Sequence, residues 1–178
     1  MTIYVALLYS IVLTPQRRVT MSDLRAMATG LGFERPRTLA STGNLVFETD
    51  PTPVSQLENR LEAAFAAHFG KPVEILVREA TAWRETVGRN PFPAESARDG
   101  SLVVLRIMRR PLDPALTRKL EPYLTPPERL AIVVGDLWVS FAGRPSESRL
   151  LGALTTRRLG IGTFRNWNTV RGIADLLD

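Results

Sequence analysis

The stretch that most constrains what this chain can fold into runs from Arg37 to Glu48, RTLASTGNLVFE. It reads as two short strands folded back on each other at Thr42-Gly43-Asn44, because Gly43 and Asn44 tolerate the positive φ that a tight turn needs. On the second strand Leu45 and Phe47 alternate with Asn44, Val46 and Glu48, which predicts one buried and one more exposed face. A comparable pattern returns some 93 residues later, where Arg129 to Phe141 reads RLAIVVGDLWVSF with a turn expected at Gly135-Asp136. Two hairpins of one design in one chain point to a duplicated unit.

The rest of the chain can be ordered around these hairpins. Ile3 to Leu8 is an apolar run suited to a strand buried on both faces, and Thr20 with Asp23 forms a T-x-x-D start for a helix whose stripe is Leu24, Met27, Ala28 and Leu31. After the first hairpin, Thr52 and Pro53 predict a second helix, with Leu57, Leu61, Ala64 and Phe65 inward, ending at Gly70; Val73, Ile75 and Val77 then alternate as a strand. The order is βαββαβ, the ferredoxin-like split βαβ. Leu102 to Ile107 reopens the pattern, Asp113-Pro114 starts a helix aligned on Leu116, Leu120 and Tyr123, and the second hairpin follows. A helix from about Ser148 to Gly160, a strand over Thr163 to Trp167 and a last helix capped by Asn168 complete it. The expected class is α+β with duplicated ferredoxin-like repeats: residues 1–90, a linker over 91–100 that begins at Asn90-Pro91-Phe92-Pro93, and residues 101–178.

Composition narrows the chemistry. No cysteine is present among 178 residues and only one histidine, which argues against thiolate or His-based metal sites and a Ser-His-Asp triad. No apolar run has transmembrane length and the first residues lack signal-peptide features, so the expectation is a cytoplasmic protein without a membrane partner. The net charge of +5 is concentrated: Arg144 to Arg171 hold six arginines against the single carboxylate of Glu147. His68, in the last turn before Gly70, and Glu58 with Glu62, one turn apart, read as a helix-end histidine and a solvated face.

Several stretches resemble domain-of-unknown-function family 1697: YVALL at Tyr4 to Leu8, the helix start at Met21 to Leu24, Thr42-Gly43-Asn44-Leu45-Val46-Phe47, NPFP at Asn90 to Pro93, Ser148-Arg149-Leu150, Leu159-Gly160 and TFRNWNTV at Thr163 to Val170. The resemblance runs nearly end to end, and its most specific part is the RNW-x-TV run. It implies a bacterial protein with a duplicated ferredoxin-like fold and no established activity. One departure stands out: where the family usually has RGIN, a glycine pair and a basic residue, this chain has Tyr9-Ser10-Ile11-Val12, Thr14-Pro15 and Arg18. Proline there removes backbone freedom and an N–H donor, which opens the question whether Tyr9 to Arg18 keeps the family's usual role.

The candidate ligand-binding residues are Asn44 in the first turn, Ser148 and Arg149 at the expected helix start, and Arg165, Asn166 and Trp167. The last three join a bidentate donor, an amide and an aromatic face, suited to an anionic or planar ligand. Structural roles compete for each, since Trp167 can close a core and Ser148 can serve as an N-cap. The resulting expectation is a non-catalytic binding module for a nucleotide or nucleic acid, with no cofactor or metal and with oligomeric state left open. The alternatives are a protein-interaction domain, or an enzyme in which Glu147, beside Ser148 and Arg149, is the candidate acid or base.

Overall fold

The structure is a computed structural model describing residues 1–178. Its contacts divide the chain into one unit of Met1–Glu85 with Gly172–Asp178 and a second of Thr86–Arg171. Residues 91–100 therefore fall inside the second unit, and the C-terminal segment belongs to the first.

In the first unit the elements are β1 (Thr2–Leu8), β2 (Val12–Thr14), β3 (Arg17–Arg18), α1 (Met21–Gly30), β4 (Glu34–Leu39), β5 (Asn44–Thr49), α2 (Val54–Phe69), β6 (Ile75–Glu79) and the first part of α3 (Ala80–Gly88). The four long strands form an antiparallel sheet ordered β4-β5-β1-β6. Tyr4, Ala6, Leu8, Leu45, Phe47, Ile75 and Val77 share one core with Leu24, Met27 and Ala28 of α1 and Leu57, Leu61 and Phe65 of α2. The alternate positions Val5, Leu7, Val46 and Leu76 are buried as well. The more exposed face expected on Asn44, Val46 and Glu48 is absent: every residue from Asn44 to Glu48 is buried, so both faces of β5 are covered.

Side-chain hydrogen bonds set the ends of these elements. Thr20 Oγ1 accepts from Asp23 N at 3.1 Å and starts α1 as expected. Thr52 does not cap α2: its hydroxyl donates to Asp50 O and its N–H to the Tyr4 hydroxyl, leaving Pro53 at the N-cap position. Glu58 and Glu62 are not a solvated face. Their carboxylates accept from Val77 N at 3.1 Å and Ile75 N at 2.9 Å, covering outward N–H groups of the edge strand β6. His68 lies exposed in the last turn of α2. The C-terminal segment is fastened to this unit by Arg84 Nη2, which donates to Leu177 O at 2.7 Å, and by burial of Ile173 and Leu177.

The second unit contains α4 (Pro93–Arg98), β7 (Val103–Met108), α5 (Thr117–Leu120), β8 (Arg129–Val133), β9 (Asp136–Ser140), α6 (Thr156–Leu159), β10 (Gly162–Asn166) and the start of α7 (Trp167–Asp175). Its antiparallel sheet is ordered β10-β7-β9-β8, so its strands take the same positions by sequence rank as in the first sheet. Val104, Met108, Leu137 and Val139 pack with Leu120, Leu150, Leu154 and Leu159. The single helix expected from Ser148 to Gly160 is instead 3-10 turns at Pro145–Glu147 and Leu151–Ala153 followed by α6. Gly152 weakens a helix there, and Thr155, in extended conformation, turns its Oγ1 to Arg158 N and starts a new helix. No helix is long and apolar enough to cross a membrane.

The second hairpin turns at Val134-Gly135 rather than Gly135-Asp136, with φ of 51° and 81° at those two residues. A two-residue hairpin connection of type I′, the kind seen here, requires positive φ at both positions. Asp136 is drawn into β9, where its Oδ1 accepts from Met108 N at 2.7 Å. Val134 is 62% exposed, so this β-branched residue is held in the left-handed region without burial in return. Val134→Asn is accordingly expected to raise the unfolding free energy by about 1 kcal/mol, read as a higher midpoint in urea with an unchanged slope. A lower midpoint would show that Val134 makes a contact worth more than its backbone strain.

Candidate functional site

Asn44 belongs to the first unit and acts within its turn. Its Nδ2 donates to Leu39 O at 3.0 Å and to Thr42 Oγ1 at 2.9 Å, and the residue is buried. The other candidates lie in the second unit. Ser148 ends a 3-10 turn, and its Oγ accepts from Leu150 N at 3.1 Å, a local cap rather than the first turn of a long helix. Arg149 and Glu147 are exposed on either side of it.

Arg165 sits within β10, paired in register with Leu105, and is only 8% exposed. The guanidinium that the RNW run offered as a bidentate donor for a ligand is thus buried. Its Nη1 donates to Thr163 Oγ1 at 2.9 Å and to Phe164 O at 2.7 Å. Burial pushes its pKa down to about 10, which leaves it charged at neutral pH. Sequence could not reveal this orientation, because one residue of register decides which face a strand residue takes.

Asn166 closes β10 and starts α7: its Oδ1 accepts from Thr169 N at 3.0 Å, the role expected of Asn168. Asn168 is exposed and lies over Gly100, and Trp167 N donates to Gly100 O at 3.1 Å. The Trp167 indole is half-buried, its centroid 6.0 Å from that of the buried Trp138. Its remaining surface lines a cavity of about 280 Å³ with Asn90, Ser96 and Arg171. Asn90 is held in place there, accepting from Phe92 N and donating to Ser96 Oγ, each at 2.8 Å. Arg171 is exposed one turn along α7 from Trp167.

The arrangement puts an aromatic face, a cation and two hydrogen-bonding side chains on one concave surface. Asn90, Ser96 and Arg171 were not singled out from the sequence as site residues. The NPFP run was the available signal, but it reads as a linker until α4 is seen to begin at Pro93. The unit that carries this cavity has 14 Lys and Arg against seven Asp and Glu, a net +7, whereas the first unit has nine against 11, a net −2. The first unit holds a larger cavity of about 520 Å³ beside the altered loop, lined by Tyr9, Ser10, Phe65, Lys71 and Glu74. Within that loop β2 and β3 form a small hairpin with Arg17 and Arg18 exposed.

Comparison with known proteins adds a family and a fold. Residues 1–138 match the family described as a protein of unknown function, DUF1697. A conserved bacterial protein, SP0830, from Streptococcus pneumoniae has a similar structure, with a TM-score of 0.77 at 23% sequence identity over 99% of both chains. No curated protein matches the chain.

Proposed function

Since the chain belongs to the DUF1697 family of proteins of unknown function, we propose from its own geometry that it is a non-catalytic binding module for a phosphate-bearing ligand, a nucleotide or a nucleic acid strand. The observation that carries this reading is the sharing of one cavity by Trp167 and Arg171 in a unit of net charge +7. An aromatic face accepts any base by stacking, and an exposed guanidinium beside it suits a phosphate. Asn90 and Ser96 supply donors and acceptors at the cavity wall.

The scaffold we infer for this module is a pair of ferredoxin-like repeats, about residues 1–90 and 101–178, joined by 91–100. Equal strand rank order in the two sheets supports it. The offset between matched strands shrinks from 101 residues at the first (Thr2 to Val103) to 87 at the last (Ile75 to Gly162). Shorter helical connections in the second copy account for such a drift, since α1 and α2 have 10 and 16 residues and α5 and α6 have four each.

Titration of a labelled single-stranded oligonucleotide and of mononucleotides should show binding that weakens steeply with salt. Arg171→Ala should weaken it and flatten the log–log salt slope by about 0.7 to 0.9 if one phosphate contact is lost. Trp167→Ala should reduce affinity by about 1 to 3 kcal/mol per stacked base. Absence of any fluorescence-anisotropy change at low salt, with no nucleotide-dependent rise in Tm, would refute the proposal.

A further inference from the structure

At the other end of β10, away from Trp167, the chain builds a second concavity in the same unit. It has a volume of about 430 Å³ and lies between the residues that follow β7 and those that precede β10. Met108, Leu112, Leu159 and Ile161 supply its apolar walls, and Arg109 and Arg110 supply its charge. The volume falls within the usual range for small-molecule sites, and apolar walls with a few placed polar groups are the usual lining.

The walls are tied to each other, so the space does not depend on a ligand to form it. Arg109 N donates to Ile161 O at 2.9 Å, joining the two segments across the cavity. From behind the wall, Arg106 Nη2 donates to Gly160 O at 3.1 Å while its guanidinium stacks on Phe164, 4.8 Å from the ring centroid. Arg106 is buried, so its charge reaches the cavity through protein rather than through water. Asp136, the carboxylate bonded to the cavity residue Met108, is itself buried and accepts from Met108 N. Arg110 is exposed at the mouth. Arg106, Arg109 and Arg110 against the one carboxylate of Asp136 leave the surroundings of this apolar cavity net positive, with Arg110 the exposed cation at its mouth.

We propose that the cavity between Met108–Leu112 and Leu159–Ile161 is a binding site for a small amphipathic anion, a phosphate or carboxylate group carried on a ring or short apolar chain. The head group meets the guanidinium of Arg110 at the mouth, and the apolar part fills the space between Met108, Leu159 and Ile161. Arginine favours such oxyanions because its planar fork donates two parallel hydrogen bonds. This site is distinct from the Trp167 cavity and does not rest on the nucleotide reading of it.

Phenyl phosphate is the probe, with benzyl alcohol as an uncharged stand-in for its ring half and inorganic phosphate as its head-group half, and binding is followed by the methyl resonances of Met108, Leu112 and Ile161. Phenyl phosphate should shift these resonances saturably, and each half alone should bind at least about tenfold more weakly. Arg110→Gln and Arg110→Glu should each weaken binding by about tenfold or more, whereas Arg171→Glu, at the other cavity, should leave it within about twofold. The inference fails if the three methyls do not respond saturably, if benzyl alcohol binds as tightly as phenyl phosphate, or if both Arg110 variants bind like the parent. Loss of binding in Arg171→Glu instead would overturn this site and place the anion at the Trp167 cavity. Binding of phenyl phosphate here with no oligonucleotide binding would sink the nucleotide reading and leave this one standing.

Discussion

Trp138→Ala is expected to lower the unfolding free energy by about 3 to 5 kcal/mol, the range for deleting a large buried aromatic side chain. Trp138 is 1% exposed and stands in β9, the strand flanked by β7 and β8. Its register partners are Leu105 and Ala131, and its ring meets that of Trp167. Backbone on both sides is fixed by the ladder, so neighbours cannot collapse freely into the vacated volume and the cavity term stays large. Urea denaturation followed by circular dichroism measures the effect, and Trp138→Phe, which retains most of the ring, should lose less. A loss under about 1 kcal/mol for the alanine variant would mean that the sheet relaxes around the hole. The same experiment bears on the Trp167 cavity. Trp138 supports the inner side of the Trp167 indole, so ligand affinity should fall with Trp138→Ala even though Trp138 is not among the cavity's lining residues.

Features that depend on local chemistry were legible in the sequence. The apolar run at β1, the Thr20 cap, the glycine turns and the order of strands follow from periodicity and turn residues, which act over a few positions. What escaped depended on partners distant in sequence. Glu58 and Glu62 look solvated until β6 is known to be an edge strand with N–H groups to satisfy. Arg165 looks like a surface guanidinium until the β7–β10 register turns it inward. The candidate site shows the same division. Asn166 and Trp167 stood out because the RNW run concentrates distinctive side chains; in the structure Trp167 borders a cavity, whereas Asn166 caps α7 and is not part of the cavity lining. Asn90 and Ser96 come from another segment, and only the fold brings them to Trp167 and Arg171, which share α7. The Arg109–Arg110 cavity had no motif to announce it, since a strand end and a helix end meet there through backbone bonds.

Gly135→Ala should cost about 3 kcal/mol or more, opposite in sign to the change expected at its neighbour Val134. Two separate terms add. The first is backbone conformation: Gly135 has φ of 81°, and an L-residue held at positive φ is less favourable by about 1 to 2 kcal/mol. The second is space. A Cβ built on Gly135 would stand 2.5 Å from Pro111 Cβ and 2.7 Å from Pro111 Cα, well inside van der Waals contact. Relief by rotating a side chain is not available, because the obstacle is a proline ring atom and its backbone carbon. Withdrawal of the turn is opposed too, since Leu112 N donates to Gly135 O at 2.9 Å and would lose that bond. Overpacking of this kind costs about 1 to 3 kcal/mol where the surroundings are rigid. Val134, one residue earlier, shares the positive φ but points into solvent, so only the first term applies there and a residue tolerant of it gains stability. The pair is therefore a test of the turn geometry as a whole: Val134→Asn should raise the urea midpoint and Gly135→Ala should lower it. Because Pro111 and Leu112 form part of the wall of the Arg109–Arg110 cavity, Gly135→Ala should also displace that wall and weaken phenyl phosphate binding. If Gly135→Ala were neutral in stability, the Pro111–Leu112 segment would have to yield at little cost, and the preformed cavity argued from its fixed walls would lose its support.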